Sequence, residues 1–184
     1  MAAARPAAAV RNAPRVMVFI NEIASIRKLA TRLRKRGVRC ESLHGERTQR
    51  EREESMARFK AGAAPILLTS DLASRGLDIA RLPAIVNFDV PSTAATYLHR
   101  AGRTGRSGAR GLVVTFMRRD TPSRHFATQA RALFRRAAVP LPEALRTLLR
   151  KPKERLQPEE PAAADGGLTS GSLLDFAAAA VQQQ

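Results

Sequence analysis

Short, continuous apolar runs alternate along the chain with stretches whose apolar residues recur every three or four positions, which is the pattern of a parallel sheet with crossover helices. The first run, Val16-Met17-Val18-Phe19-Ile20, contains no polar position and predicts a strand buried on both faces. Ile23, Ile26, Leu29, Ala30 and Leu33 follow at helical spacing. Arg27, Lys28, Arg32, Arg34, Lys35 and Arg36 fill most of the places between them, and Gly37 ends the helix. Residues 38–43 predict a second strand. Thr48 and Glu51 make the spacing of a capping box, so a second helix starts there and runs to about Gly62. Further strands are expected over 65–69, 84–88 and 112–116, and Ser92 is expected to cap a helix that lasts to about Ala101. Helices over about 122–137 and 142–150 close the folded part.

The pattern stops at both ends. Residues 151–184 are dominated by Pro, Glu, Ala, Gly and Gln and are expected to form a mostly disordered tail, in which Leu173-Leu174-Asp175-Phe176 reads as a weak, transient helix. Residues 1–14, rich in Ala with no acidic side chain, read as a disordered leader or linker remnant, leaving 15–150 as one domain. The 184 residues are 44% hydrophobic but only 4% aromatic, so the core is expected to be aliphatic. Thirty-two Lys and Arg against 16 Asp and Glu give a net charge of +16, which points to a polyanionic partner and away from acidic or neutral small substrates. A single cysteine, Cys40, excludes an intramolecular disulfide and a cysteine zinc cluster and suits a reducing, intracellular compartment. No run reaches the roughly 18 apolar residues of a membrane span, so a soluble protein is expected.

Three polar clusters carry candidate chemistry, each expected just past the carboxyl end of a strand. In His99-Arg100-Ala101-Gly102-Arg103-Thr104-Gly105-Arg106-Ser107-Gly108, glycines at three-residue intervals let the backbone approach a ligand. Arg103 and Arg106 lie between them as forked donors suited to phosphate oxygens. In Ser70-Asp71-Leu72-Ala73-Ser74-Arg75-Gly76-Leu77-Asp78, Ser70 can donate to a phosphate, Gly76 permits backbone approach and Asp78 can accept from ribose hydroxyls. The same residues are equally well explained if Ser70 and Asp71 cap a turn and Arg75 pairs with Asp78. In the third cluster, His44-Gly45 precedes Gln49 and Arg52, which share a helical face beside the free N–H groups of a helix start. Taken alone, Arg52 is better read as pairing with nearby glutamates. His44, His99 and His125 do not have metal-ligand spacing.

In this order, the clusters resemble the second RecA-like domain of DEAD-box RNA helicases. Val18-Phe19-Ile20-Asn21 resembles motif IV, and His44-Gly45 with Gln49 and Arg52 matches the HGxxxQxxR element. Ser70-Asp71 through Arg75-Gly76-Leu77-Asp78-Ile79 resembles motif V, and His99 to Arg106 resembles motif VI. Ser70 stands where Thr is more usual and Ala101 where Ile is commoner. The resemblance implies a three-layer α/β domain with a mostly parallel sheet flanked by helices. It also implies arginine fingers at Arg103 and Arg106, a ribose contact at Asp78, RNA-backbone contacts at Gln49, Arg52, Ser70 and Gly76, and a role for His99 in coupling two domains. The cofactor would be ATP with magnesium, held mainly by a separate N-terminal RecA-like domain. The partners would be that domain, in cis or trans, and RNA.

No Gly-Lys dipeptide occurs in the sequence, so a GxxxxGK[ST] phosphate loop is absent, and no Asp-Glu-Ala-Asp tetrad is present. An arginine finger accelerates phosphoryl transfer only where a lysine, magnesium and a carboxylate have already built the site. The expectation is therefore the C-terminal half of an ATP-dependent RNA helicase, unable to hydrolyse ATP alone and encoded as a fragment or truncated product. The runner-up is a stand-alone RNA-binding or annealing module without ATPase activity.

Overall fold

The computed structural model describes residues 15–74, 79, 82–105 and 108–150. The expected leader and tail, and Arg75, Gly76, Leu77, Asp78 and Arg106 among the motif residues, lie outside them. Five strands, β1 (Val16–Phe19), β2 (Cys40–Leu43), β3 (Ile66–Thr69), β4 (Ala84–Asn87) and β5 (Leu112–Thr115), form one sheet in the order β2-β3-β1-β4-β5. Every pairing is parallel. The chain builds β2 and β3 on one side of β1 and then crosses to build β4 and β5 on the other.

Alternation along the strands sends side chains to two cores. Val16, Val18 and Ile20 pack with Ile26, Leu29 and Leu33 of α1 (Ile23–Lys35) on one face. Met17 and Phe19 pack with Leu43, Leu67 and Ile85 on the other, where Phe59 of α2 (Gln49–Lys60) covers them. This is the expected three-layer α/β arrangement. A short turn of helix, α3 (Asp71–Ser74), follows β3, and α4 (Ala94–Ala101) follows β4. Two closing helices, α5 (Thr121–Arg136) and α6 (Glu143–Leu149), bury Phe126, Ala127, Ala130, Leu145 and Leu148 in a satellite core that includes Tyr97.

The second strand starts at Cys40, two residues later than expected. Gly37, at φ +75°, gives its N–H to Arg34 O (2.9 Å), and Val38 gives its own to Leu33 O (2.9 Å), completing a Schellman closure of α1. Val38 is therefore committed to the helix end and packs on the core from there. Gly62 and Ala63 close α2 in the same way. The cap of α4 is Thr93 rather than Ser92, since the Thr93 hydroxyl accepts the Thr96 N–H at 3.0 Å. Asp120 caps α5 through Ser123 N–H at 2.9 Å. The capping box forms as the spacing predicts: the Thr48 hydroxyl accepts Glu51 N–H at 3.3 Å, and Glu51 Oε2 accepts Thr48 N–H at 2.8 Å.

Candidate functional site

Because all five strands run the same way, the segments leaving β1, β2, β3 and β4 emerge along one edge of the sheet. His44-Gly45 and Ser70-Asp71 adjoin there, and Ser70 N–H reaches Leu43 O at 3.4 Å. Gln49 and Arg52 sit in the first turn of α2, just beyond. Gln49 is exposed and donates to Glu53 Oε1 at 2.7 Å, whereas Arg52 is half-buried. Among the described residues no glutamate of α2 pairs with Arg52: Glu54 pairs with Arg50 and Arg58, Glu53 accepts from Gln49 and Glu51 from Thr48.

His44 is 6% exposed, and its Nδ1 has no hydrogen-bond partner. Burial, with the Arg47 and Arg27 charges beside it, holds the imidazole below its usual pKa, against a smaller opposing pull from Glu51. It is therefore a neutral wall of the site rather than a cation at neutral pH. Ser70 behaves as a turn residue: its hydroxyl accepts Ala73 N–H at 3.4 Å, and Ser74 Oγ donates to Asp71 O at 2.9 Å. Ser70 thus caps the turn, whereas the Asp71 carboxylate accepts from Arg100 instead.

The arginine-rich cluster that begins at His99 is not where the sequence placed it. β4 climbs about 10 Å from Ala84 to Asn87, and α4, eight residues long, runs back down from the carboxyl edge. Its exit lies level with the start of β4: Leu82 donates to Arg103 O at 3.2 Å, Thr104 bridges to Leu82, and the Thr104 hydroxyl donates to Leu82 O. His99 is exposed and Arg103 half-buried on this flank. Gly105 (φ +64°) and Gly108 (φ +78°) use left-handed backbone, but Gly102, at φ −64°, ends α4 in a conformation open to any residue. A glycine the motif reading passed over matters more. A Cβ on Gly111 would lie 2.2 Å from Thr104 Oγ1 and 2.5 Å from Gly105 N, so only Gly lets the loop return to β5.

Arg100 joins the two locations. Its Cα rides near the lower end of α4, but side chains on a helix lean toward the N-terminus, and the guanidinium reaches back to the carboxyl edge. There it is 1% exposed. Nε and Nη2 donate to the two oxygens of Asp71, each at 2.7 Å. Nη1 donates to Asn87 Oδ1 at 3.2 Å and Asp89 O at 2.9 Å, and Nη2 also donates to Asn21 Oδ1 at 2.8 Å. The guanidinium carbon lies 5.1 Å from the centroid of the Phe19 ring. Asn21 N–H in turn donates to Asp89 Oδ2 at 2.8 Å.

A polar carboxyl edge with a cationic flank, on a β2-β3-β1-β4-β5 parallel sheet, finds its match among known families. The profile described as "Helicase conserved C-terminal domain" matches residues 5–108. The chain belongs to that family. It is a C-terminal RecA-like domain of the DEAD-box kind. DEAD-box ATP-dependent RNA helicase 30 of Arabidopsis thaliana is 35% identical over 136 residues, which are 74% of this chain and 23% of that protein. The helicase Prp28 of Chaetomium thermophilum bound to ADP superposes with a TM-score of 0.64 at 35% identity, over 72% of this chain and 33% of that one. Saccharomyces cerevisiae Dbp5 L327V bound to RNA and ADP BeF3 gives a TM-score of 0.59 at 26% identity, over 78% of this chain and 40% of that one. This chain covers only 11% to 26% of the length of the curated relatives it matches most strongly. No helix among its described residues is long and apolar enough to cross a membrane, and none of its described His, Cys, Asp and Glu residues cluster to hold a metal ion.

Proposed function

We propose that this chain works as the C-terminal half of an ATP-dependent RNA helicase, binding RNA backbone along the carboxyl edge and presenting arginine fingers from the flank. The observation that carries this is the separation of two phosphate-suited surfaces on one domain. Gln49, Arg52 and Ser70 occupy the edge, and His99 and Arg103 the flank below it; Gly76 and Arg106, to which the resemblance gives the matching roles, lie outside the described residues. The edge offers a helix N-terminus, a half-buried guanidinium and a hydroxyl, a set that fits phosphate oxygens without reading base identity. The flank is cationic, which fits the polyphosphate of ATP bound by an N-terminal RecA-like domain. ATP supplies the phosphoanhydride whose hydrolysis the family couples to RNA.

On this reading Arg103 and Arg106 stabilise negative charge developing on the terminal phosphate, Asp78 holds the ribose, and His99 lies against the other domain. Magnesium would be held by that domain. The test is reconstitution. Mixing the chain with a DEAD-box N-terminal domain is expected to give RNA-stimulated ATP hydrolysis, and Arg103→Ala or Arg106→Ala to lower its kcat by about 10³-fold or more. Unchanged turnover in both variants would remove the finger assignment. A second reading, an RNA-binding module without ATP use, draws on the edge site needing no second domain. It predicts RNA affinity indifferent to the partner domain and nucleotide.

A further inference from the structure

We infer that Arg100 is a positioning residue that couples the RNA-facing edge to the finger-bearing flank; the inference rests on the function proposed above and names the part that links its two surfaces. A guanidinium carries five N–H donors, and all five of Arg100 are used, on Asp71 twice, Asn21, Asn87 and Asp89. None is left for a ligand. Arg100 is therefore not a third finger, although it lies between His99 and Arg103 in an arginine-rich motif.

Its acceptors come from the carboxyl ends of the three central strands β3, β1 and β4. Asp71 directly follows Ser70, so the ion pair sets the height and tilt of the turn on which Ser70 sits. At the other end, Arg100 O accepts the Arg103 N–H at 3.1 Å, so the backbone carrying Arg103 hangs from the same residue. The Asp71 side chain is 36% exposed while that of Arg100 is 1% exposed, so the pair has one face that bound RNA can perturb and one that cannot move independently of the flank. A phosphate settling against Ser70 shifts Asp71, and the shift passes through a bidentate contact to α4 and Arg103.

Arg100→Lys tests this, because an ammonium keeps the charge but has three donors and no fork, and cannot span Asp71, Asn21 and Asn87 together. RNA affinity of the 184-residue chain, measured by fluorescence anisotropy, should fall by no more than about five-fold, the loss of the single Ser70 hydrogen bond, since Gln49 and Arg52 lie on α2, outside the network. With the N-terminal domain added, kcat at saturating RNA should fall by about 10²-fold, the effect of misplacing a catalytic group by roughly 1 Å. The RNA concentration for half-stimulation should barely move. Both assays are run well below the melting temperature, with circular dichroism confirming that the variant is folded, so loss of folded protein is separated from loss of coupling.

If Arg100→Lys does not fold, Asn21→Ala removes one acceptor from a solvent-exposed residue and must itself lower kcat without altering RNA affinity. A folded variant with unchanged kcat, or one whose RNA affinity falls in step with kcat, overturns the coupling role. Wild-type chain that gives no RNA-stimulated turnover with the N-terminal domain instead overturns the helicase reading, an outcome visible before any variant is made.

Discussion

His44 shows how one side chain ties the site to the stability of the fold. In the unfolded chain its imidazole takes a proton near the ordinary value of about 6.5. In the folded chain burial, and then Arg47 and Arg27, depress that value. The folded state therefore has its full contribution from neutral His44 above about pH 6.5 and loses it as pH falls toward the lower folded-state pKa. Glu51 and Asp120 are held below their ordinary range, Glu51 by the Thr48 N–H and Asp120 by Ser123, so they stay ionised through the same window. Urea unfolding between pH 7 and pH 5 is expected to show a falling midpoint for the wild type and a flatter one for His44→Gln. Equal slopes would show that the loss comes from elsewhere.

At the scale of elements, three helices close by the same pair of hydrogen bonds, but with different residues in the left-handed position. Gly37 and Gly62 serve α1 and α2, while Ala138, at φ +52°, serves α5 and donates to Arg135 O at 3.2 Å. An L-residue in that region carries a penalty of about 1–2 kcal/mol, and glycine's larger unfolded-state freedom offsets about 0.4–1 kcal/mol of the relief. Ala138→Gly is thus expected to stabilise the domain by up to about 1.5 kcal/mol and to raise Tm by up to roughly 6 °C. A lower Tm would mean that the unfolded-state term dominates.

These closures also explain what the sequence revealed. The Thr48–Glu51 box, Gly37 and the apolar runs are local signals, and each element they predict is present within a few residues. Val38 was misassigned because a Schellman end captures its N–H, which hydrophobicity alone does not register. Arg100 was legible as part of a motif but not as its hub. Its side-chain acceptors lie 13, 29 and 79 residues away in sequence, so only the folded sheet assembles them. The displacement of Arg103 to the flank has the same origin, since the descent of α4 along β4 depends on helix length and strand pairing together.

For the whole molecule, the surplus of positive charge belongs to the first 150 residues; residues 151–184 hold three basic and five acidic side chains. Much of that charge is exposed arginine far from the carboxyl edge, as on α1, where Arg32, Arg34 and Lys35 crowd the last turn. RNA affinity is therefore expected to carry a large salt-dependent component. A plot of log K against log salt for a single strand should have a slope of about −0.7 per phosphate neutralised, and Arg52→Ala should make it shallower by about that amount while weakening different sequences alike. A strong preference for one sequence would argue for base readout that this surface does not provide.

The exhausted donor set of Arg100 changes how a survey of the basic residues would be interpreted. Replacing each arginine in turn by alanine would rank Arg100 beside the residues that touch phosphate, because its loss strands a carboxylate, two amides and a carbonyl at once. Phenotypic severity in such a scan would mark a keystone, and it would say nothing about where the substrate lies.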